Sequence, residues 1–526
     1  MTSPLFRLAV GAVLCCLSVP AGAQILSRPD YDAAARAKGA TLQAVTGAEV
    51  RCAGGVAAGF PCSEVNLLSF LPIADLGGQA GVNLNDIWGW TDPASGREFA
   101  LVGRTDGTAF VEVTDPVNPV YLGSLPLHAG ARPSVWRDIK VYAGHAYVVA
   151  DGAGAHGLQV FDLSRLLAVE NPPVTFTEDA HYDGFGSAHN LVINEATGFA
   201  YAVGLSFGGA TCGGGFHIVD IREPKNPQFA GCFADFDTRR GYTHDAQCVL
   251  YHGPDAEHRG KEICIGSNED KITLVDMSDK AQPRVIANAG YPNAAYTHQG
   301  WLTEDHRYFL LDDELDERQG GGAGTRTLIW DLTDLDDPLL LTEYIASQPS
   351  IDHNQYVRGH YAFQANYTSG LRILDLHDIT APREVAFFDT YAPDDGISFR
   401  GAWSVYPFFP SGTLVVSSIG EGLFALRSPV VAEPVEVPDG PVRMEVYPNP
   451  SGGAVTVAFV LADTQHVEVA VFDAAGRRVA TLHRGVLPAG VRHRFAFDGQ
   501  GLAGGAYLVR IEGAHFAETR PFARVR

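Results

Sequence analysis

Short apolar runs alternate with polar breaks from Asn66 to Arg427, and no stretch of this region keeps a long helical period. The runs are rich in Val, Ile, Leu, Tyr and Phe, and Gly, Asn, Asp or Pro separate them. This pattern is typical of short strands joined by turns. One unit shows four successive strands most clearly, in THDAQCVLY, KEICIGSN, KITLVDMS and PRVIANAG. The pattern therefore predicts an all-β fold built from four-stranded sheets.

One phrase recurs at the end of the third predicted strand in six of the units. Four copies read HIVDIREPKNPQFAG, TLVDMSDKAQPRVIA, LIWDLTDLDDPLLLT and RILDLHDITAPREVA. Each apolar run ends in an aspartate, and a proline follows seven positions later: Asp220 and Pro227, Asp276 and Pro283, Asp331 and Pro338, Asp375 and Pro382. A fifth copy keeps the spacing with Glu112 and Pro119, and a sixth stretches the turn from Asp162 to Pro172 and Pro173. Such a recurrence indicates a repeat architecture, with the aspartate as turn acceptor and the proline opening an outer strand.

The spacing of the units predicts a seven-bladed β-propeller over residues 66–427. The inner strands begin near Asp86, Asp138, His189, His244, His298, His353 and Arg400. The seventh unit ends after three strands, with Arg427 where the aspartate is expected. NLLSFLPI, near the start of the region, is similar to VYLGSLPL of the first unit. We therefore expect this early segment to supply the missing outer strand and close the ring, which leaves no free sheet edge.

The rest of the chain divides into four further parts. Residues 1–23 have the pattern of a signal peptide. Arg7 supplies the positive charge, Leu8 to Pro20 the apolar core, and Ala21-Gly22-Ala23 the small-residue cleavage site. The apolar run is too short to span a membrane, so we expect no membrane span in the mature chain. Residues 24–65 form an N-terminal extension with one short Ala-rich helix and a CAGGVAAGFPC loop, and residues 428–441 form a linker. Residues 442–526 predict a small immunoglobulin-like β-sandwich.

Six cysteines remain after the signal peptide, and they occur in close pairs. An even count in an exported chain favours disulfides. Among the 15 connectivities that six cysteines allow, we predict the sequential pairs Cys52 with Cys62, Cys212 with Cys232, and Cys248 with Cys264. A cysteine metal site is less favoured because no CxxC spacing occurs.

Charge excludes one class of partner. The formal net charge is −23, and phosphate backbones require a basic surface. We therefore expect no nucleic-acid partner, and an acidic soluble surface explains the charge.

The C-terminal unit resembles the sorting domain of the type IX secretion system. The similarity rests on Tyr447-Pro448-Asn449-Pro450, the VFDAAGRRV turn around Gly476, the GAYLVR stretch from Gly505 to Arg510, and the basic residues that end the chain. The resemblance implies the type IX secretion machinery as a partner. It also implies passage through the periplasm to the cell surface or outside the cell.

Residues from about Cys52 to Arg427 resemble the LVIVD-repeat β-propellers called the choice-of-anchor B family. The similarity rests on CAGGVAAGFPCSEVNLLSF, SAHNLV, YTHDAQCVLYHGPDAEHRGKEICIGSNEDKITLVD and the repeated phrase. That family varies its C-terminal anchor and keeps its propeller. The resemblance implies a fold and a location, and it implies no activity.

Two columns of polar residues open the inner strands. The first column contains Asn85, Arg137, His189, His244, His298, His353 and Arg400, and the second contains Asp86, Asp138, Asn190, Asp245, Gln299, Asn354 and Gly401. Inner strands line the channel of a propeller, and only one column faces it directly at a given level. If the first column does so, His189, His244, His298 and His353 form an imidazole wall that suits a divalent transition metal. Asp151, Asp312, Asp313 and Glu314 are then candidate carboxylate ligands or acceptors.

A structural role for the same columns is favoured over metal binding, because propeller blades reuse polar residues to join neighbouring strands and turns. Asp86, Asp138, Asp245, Arg137 and Arg400 are expected to line the channel. Trp88, Trp301 and Trp403 follow the columns closely and could stack on a glycan at the channel mouth. No catalytic set is assigned.

Three functions follow from the sequence. The favoured one is a secreted or cell-surface binding module for an unidentified protein or glycan. The alternatives are a metal-dependent enzyme with its ion on the histidine wall, and a purely structural surface or adhesion protein.

Overall fold

The fold was established from a computed structural model. It describes residues 42–237, 241–320, 324–428, 440–447, 449, 451, 455–462, 465–487, 492–497, 503–514 and 516–525. The predicted signal peptide, nearly all of the predicted linker, and Pro448 and Pro450 lie outside the described residues.

The first part of the described chain consists almost entirely of short strands. Before the first sheet lie β1 (Val56–Ala57), β2 (Phe60–Ser63), β3 (Asn66–Pro72) and a 3-10 helix (Ile73–Leu76). The first sheet contains β4 (Leu84–Thr91), β5 (Glu98–Arg104), β6 (Gly107–Glu112) and β7 (Val120–Pro126). Next come β8 (Arg137–Tyr142), β9 (His145–Ala150), β10 (Leu158–Asp162), a 3-10 helix (Leu163–Ala168), β11 (Val174–Thr175), β12 (Ala180–Tyr182) and β13 (Phe185–Ser187).

Further short strands follow as far as residue 427. They are β14 (Asn190–Asn194), β15 (Phe199–Val203), β16 (Phe207–Gly209), a 3-10 helix (Cys212–Gly214), β17 (Phe216–Asp220) and β18 (Gln228–Phe233). The next two sheets contain β19 (Asp245–Leu250), β20 (Glu262–Ser267), β21 (Ile272–Asp276) and β22 (Arg284–Ala289), then β23 (Thr297–Leu302), β24 (Tyr308–Asp313), β25 (Arg326–Asp331) and β26 (Leu339–Ile345). The last are β27 (Asn354–Arg358), β28 (Tyr361–Ala365), β29 (Leu371–Asp375), β30 (Arg383–Phe388), β31 (Ala402–Tyr406), β32 (Leu414–Ser418) and β33 (Gly422–Arg427).

These strands form a β-propeller. Within the described ranges up to residue 428, seven sheets of four to six strands follow one another in chain order, and a separate two-stranded sheet pairs β13 with β16. The first strands of the seven sheets contact one another in a closed order: β4, β8, β14, β19, β23, β27, β31 and β4 again. A ring of sheets with their first strands innermost is the arrangement of a propeller. The predicted all-β class is therefore confirmed.

The ring is closed by the early strand that the sequence indicated. β3 pairs antiparallel with β33, from Asn66 opposite Arg427 to Pro72 opposite Gly422. β3 is therefore the outer strand of the last sheet, next to the first sheet in the ring. The fully buried Phe70 packs against Phe424 with 4.6 Å between ring centroids. The strand that precedes the first sheet and the last strand of the ring thus share one sheet and one apolar core.

The four full copies of the repeated phrase form the same local structure in their four sheets. The carboxylates that end β17, β21, β25 and β29 each accept a hydrogen bond from the backbone N–H two residues later: Asp220 from Arg222, Asp276 from Ser278, Asp331 from Thr333, and Asp375 from His377. Each strand also has a bulge just before this aspartate, in its pairing with the outer strand. The outer strand then begins directly after the proline. The phrase therefore encodes a bulge, a turn and a strand start.

The N-terminal extension differs from the expectation of a helix over its described end. Val45 and Val50 form isolated antiparallel bridges with Phe70 and Leu67 of β3. Val45 donates its N–H to the carbonyl of Phe70, and Val50 to that of Leu67. The exposed edge of β3 offers these backbone partners, and they outweigh the helical propensity of the segment. The predicted helix up to residue 41 lies outside the described residues.

All three predicted disulfides are present. Cys52 is joined to Cys62, Cys212 to Cys232, and Cys248 to Cys264. The last pair links directly opposed residues of β19 and β20.

The C-terminal unit is a separate two-sheet sandwich. Its strands are β34 (Val442–Tyr447), β35 (Val455–Leu461), β36 (Gln465–Asp473), β37 (Arg478–Leu487), β38 (Arg492–Phe497), β39 (Gly505–Glu512) and β40 (Ala517–Arg524). The sheet orders are β34-β35-β38 and β37-β36-β39-β40. Apolar side chains of both sheets, such as Val457, Phe459, Val469 and Val509, form one buried cluster. Alternating strands with one buried face explain this packing.

Candidate functional site

Four histidines of the first column stand side by side at the starts of neighbouring inner strands. The distance between ring centroids is 4.4 Å for His189 and His244, 4.5 Å for His244 and His298, and 4.6 Å for His298 and His353. His244, His298 and His353 are 2–4% exposed. The repeat brings them together because each occupies the same position of a successive sheet. The predicted imidazole wall is therefore continuous in the structure.

Nδ1 of each of these rings contacts a hydrogen-bonding group of the protein. In His298 it donates to the backbone carbonyl of His353 (2.9 Å), and in His353 to that of Trp403 (2.6 Å). In His189 it lies 3.1 Å from a carboxylate oxygen of Asp151, and in His244 it lies 2.8 Å from the hydroxyl of Tyr296. A carbonyl oxygen can only accept, so Nδ1 of His298 and of His353 carries the ring proton. In the neutral form of either ring, Nε2 therefore carries the lone pair.

A carboxylate lies between these two lone pairs. Oε2 of Glu314 is 3.9 Å from Nε2 of His298, and Oε1 of Glu314 is 3.9 Å from Nε2 of His353. The hydroxyl of Tyr367 donates to Oε1 of Glu314 at 2.6 Å and holds the carboxylate in place. Among the described residues, these three form the buried group whose donor atoms are close enough together to share a metal ion. His244 adjoins it with Nε2 buried and without a hydrogen-bond partner.

Burial favours the neutral form of two imidazoles of this wall, those of His244 and His353. The pKa of His244 is well below its ordinary value because of burial and the neighbouring histidines His189, His298 and His353. Burial lowers the pKa of His353 in the same way, followed by the effect of His298. Neutral imidazole is the form that binds metals.

The candidate carboxylates of the sequence divide between two roles. Asp151 and Asp312 face Nδ1 of His189 and His298, at 3.1 Å and 3.3 Å, so they orient the rings. Asp313 instead accepts backbone N–H groups of Ala295 and Tyr296, which excludes it from the wall.

The two arginines of the first column take other positions. Arg137 is 1% exposed and places Nη1 3.2 Å from Nε2 of His156. It lines a small polar cavity at the histidine wall together with Asp86, Trp136, His189, Asn190, His298, His353, Asn354 and Trp403. Arg400 donates to the hydroxyl of Tyr391 and does not line this cavity.

The second column joins neighbouring sheets to one another. Asp86 accepts the N–H of Ile139 in the next sheet, at 3.0 Å, and Asp138 accepts that of Leu191. The ammonium of Lys140 pairs with both carboxylates, at 3.6 Å from Asp86. Burial holds the pKa of Asp86 well above its ordinary range, and the charge of Lys140 opposes that shift.

A second, larger cavity of about 450 Å³ shares the lining residues Asp86, Asn190 and Asn354 with the first. Its polar lining includes Asp86, Asp138, Lys140 and Asp245, and burial raises the pKa of Asp245 to about 7. Its aromatic lining consists of Trp88, Trp301, Tyr356, Tyr406 and Phe408. Two of the three tryptophans singled out in the sequence are therefore here. Trp403 lies against His353 instead, with 4.7 Å between ring centroids.

Some residues of these sites could not be found from the repeat. Tyr367 and Tyr296, which hold Glu314 and His244, lie outside the aligned columns. Lys140 is two positions after Asp138 on the same strand, so period-two alternation places both on one face. That spacing is the one signal that could have pointed to it.

Comparison with known protein families identifies the C-terminal unit. A family model described as a secretion system C-terminal sorting domain matches residues 445–522. This type IX sorting tail indicates a secreted or cell-surface protein that the type IX secretion system handles. No curated protein matches the chain. Within the described residues, no helix is long and apolar enough to cross a membrane.

Solved structures similar to this chain share little sequence with it. A protein from Lactobacillus plantarum is 11% identical, with 79% of this chain and 99% of that chain covered and a TM-score of 0.42. The C-terminal WD40 domain of Sif2 is 12% identical, with 67% and 83% covered and a TM-score of 0.40. Saccharomyces cerevisiae Sqt1 is 6% identical, with 64% and 94% covered and a TM-score of 0.42. Similarity at this level gives no evidence about function.

Proposed function

We propose that this exported protein binds a divalent transition-metal ion in the channel of its propeller, with His298, His353 and Glu314 as ligands. The observation that carries the proposal is the orientation of the two imidazoles. Both donate Nδ1–H to backbone carbonyls, and both leave an Nε2 lone pair 3.9 Å from an oxygen of Glu314. Metal-binding histidines are held in this way, with the second ring nitrogen donating to a carbonyl or carboxylate.

The distances suit an ion. Zinc lies about 2.0–2.2 Å from imidazole nitrogens and carboxylate oxygens, so one ion reaches both members of each 3.9 Å pair. Nitrogen and oxygen donors of this kind suit Zn, Cu, Fe or Ni. Two histidines and one carboxylate leave further coordination positions, which His244 or a bound molecule can fill. A metal-dependent reaction is therefore compatible with this ligand set.

Metal analysis of protein purified without an affinity tag tests the proposal. We expect close to one equivalent of a transition metal, which the double variant His298→Ala/His353→Ala loses. Glu314→Gln keeps the shape of the side chain and should weaken retention against a chelator. His360→Ala removes an exposed imidazole elsewhere in the propeller and is the matched control. Less than roughly a tenth of an equivalent in the wild type, or full retention by the double variant, would contradict the proposal.

A second candidate function is the binding of a glycan or another small ring-shaped ligand in the 450 Å³ cavity. The cavity has the size of a small-molecule site, and it combines aromatic faces with polar groups. Nδ2 of Asn194, a residue in the lining that is 3% exposed, has no hydrogen-bond partner among the described residues. Aromatic faces stack on rings, and buried polar groups fix their orientation.

Tryptophan fluorescence titration with oligosaccharides tests this second function. Trp301→Ala should weaken binding by about twofold to tenfold, since stacking on an aromatic ring contributes about 0.5–1.5 kcal/mol. Phe207→Ala removes an exposed aromatic ring outside the cavity and should leave binding unchanged. Equal affinity of both variants would place the ligand elsewhere.

We also infer that the propeller has seven blades and is of the LVIVD-repeat, choice-of-anchor B kind. The seven sheets of the described residues and the shared bulge, turn and proline of the repeated phrase support this inference. A C-terminal sorting domain also agrees with a family that varies its anchor. An experimental structure with a ring of any other number of sheets would contradict it.

A further inference from the structure

Acidic side chains outnumber basic ones around the cavity of about 450 Å³. Its lining contains the ammonium of Lys140 and four carboxyl groups, those of Asp86, Asp138, Glu195 and Asp245. The ammonium pairs with Asp138 and lies 3.6 Å from Asp86. Asp245 and Glu195 form no ion pair with any described residue. A positive charge inside the cavity would therefore meet carboxyl groups that the basic side chains of the described residues do not contact.

Asp245 is the carboxyl group best placed to meet such a charge. It is half-buried at the start of β19 and lines the cavity. Its Oδ1 accepts the N–H of Ala246 at 2.7 Å, and no described residue donates a hydrogen bond to its Oδ2. Withdrawing a carboxylate from water without a cation costs free energy, and a cationic ligand would offset part of that cost.

Aromatic rings form the apolar part of the same cavity. The ring of Tyr356 lies among those of Trp88, Trp301 and Phe408, with 5.7, 4.9 and 6.0 Å between centroids. The ammonium of Lys140 is 4.6 Å from the centre of the Trp88 ring, so one cation of the protein already lies on this aromatic group. Aromatic faces attract cations and offer apolar area on which a second ring can lie.

The cavity is elongated and has a free hydrogen-bond donor at its far end. Asn190 and Asn194, the first and last residues of β14, both line it, and a strand rise of about 3.3 Å per residue places them about 13 Å apart. Asn190 donates to the carbonyl of His244, next to Asp245. Asn194 is 3% exposed, and its Nδ2 has no partner among the described residues. This length suits a ligand of two sugar rings.

We propose that the cavity binds a glycan with a free, protonated amino group, whose ammonium pairs with Asp245. The inference rests on the second function proposed above and names the class of glycan. Sugar rings would lie against Trp301 and its aromatic neighbours, and a hydroxyl oxygen would accept from Asn194. The formal net charge of −23 also attracts a cationic ligand and repels an acidic one. An N-acetylated glycan would leave Asp245 without a cation.

Calorimetric titration of the full-length wild-type protein at neutral pH tests the class of glycan. The probes are the disaccharide of glucosamine and the disaccharide of N-acetylglucosamine, which share their rings and differ in the charge on nitrogen. We expect the glucosamine disaccharide to bind roughly 10- to 100-fold more tightly, which is the contribution of a hydrogen bond to a charged group. Equal or tighter binding of the acetylated disaccharide would overturn the inference and leave glycan binding in place. Binding of neither disaccharide would overturn both.

The variant Asp245→Asn locates the charge that makes this distinction. It keeps the shape of the side chain and an acceptor for the N–H of Ala246. We expect it to bind the glucosamine disaccharide roughly tenfold or more weakly and to bind the acetylated one as the wild type does. Trp301→Ala should weaken both disaccharides by the same factor, since stacking does not depend on the amine. Asp183→Asn, at an exposed aspartate outside the cavity, is the control. An Asp245→Asn protein that keeps the full preference for the free amine would refute the proposal.

Discussion

At the scale of single residues, two histidines of the wall use one ring nitrogen to join neighbouring sheets and leave the other ring nitrogen available to a metal ion. His298 and His353 each donate Nδ1–H to the backbone of the next sheet around the ring. The same bond fixes the ring and directs the Nε2 lone pair toward Glu314. The structural and the metal-binding interpretations of the column therefore do not exclude each other. Metal analysis distinguishes them because the interstrand bonds exist with or without an ion.

The buried carboxyl group of Asp389 makes the stability of the protein depend on pH. Burial raises its pKa to about 7, against an ordinary value near 4. Between these values the folded state holds a proton that the unfolded state releases, so the stability contributed by this group is lost as pH rises from about 4 to 7. Asp389→Asn keeps an acceptor for the N–H of Tyr391 and removes the ionisation. We expect the variant to exceed the wild type by roughly 2–4 kcal/mol at pH 8 and to match it near pH 4.

Urea unfolding at the two pH values measures this difference. Asp394→Asn, at an exposed aspartate of the following loop, serves as the control and should change stability by less than about 0.5 kcal/mol at either pH. A variant that gains the same stability at pH 4 and pH 8 would show that ionisation of Asp389 is not the cause.

At the scale of elements, the repeated phrase determines where each sheet turns and the closing strand determines where the ring ends. The aspartate, the bulge and the proline depend on bonds within a few residues of one another. The β3–β33 pair instead joins segments about 350 residues apart. Closing so long a loop costs conformational entropy, and the packing of the paired strand has to offset it.

Substitution of Phe70 tests how much the closing strand β3 contributes to the stability of the ring. The side chain is 1% exposed and contacts the rings of Phe60 and Phe424. Phe70→Ala should lower the free energy of unfolding by about 3–5 kcal/mol. It should also release the N-terminal segment to limited proteolysis before the rest of the ring unfolds. Phe207→Ala, at a ring that is 54% exposed, is the control. A Phe70→Ala protein with intact resistance to protease would mean that other contacts close the ring.

At the scale of the whole molecule, the chain combines a ring with buried polar sites and a small sandwich with a sorting role. The sorting motifs also support the sandwich itself. The side chain of Asn449 exchanges hydrogen bonds with the backbone of Pro521 and Ala523, and Tyr507 is buried in the core. Asp473 and Gly476, whose φ is 77°, form the turn of the VFDAAGRRV motif.

Deletion of residues 442–526 tests the role of this unit. We expect the shortened protein to fold and to remain in the periplasm, because the region that matches the sorting domain is absent. Fractionation of cells and culture medium, with the intact chain as the reference, measures the outcome. Appearance of the shortened protein outside the cell at the level of the intact chain would contradict the sorting role.

The local order of the fold could be predicted from the sequence because its causes are local. Period-two alternation, the aspartate-to-proline spacing and the close cysteine pairs all act over 20 residues or fewer, and the structure contains the strands, turns and disulfides that they indicate. The pairing of β3 could be predicted as well, since a missing outer strand requires a substitute and one segment matched it. The short helix expected in the Ala-rich segment lies almost wholly outside the described residues, and the last residue of that segment, Val45, bridges to Phe70 of β3.

The sites depend on contacts that only the tertiary structure decides. The sequence by itself aligned four histidines in one column, because identical repeat positions fall at equivalent places in a ring. It could not determine which ring nitrogen is free, since that depends on carbonyls of the neighbouring sheet about 50 residues away. Nor could it show that the carboxylate of Glu314 lies between the free nitrogens of His298 and His353. The position of a buried group relative to its neighbours depends on all the segments that fold around it, and no run of sequence contains them all.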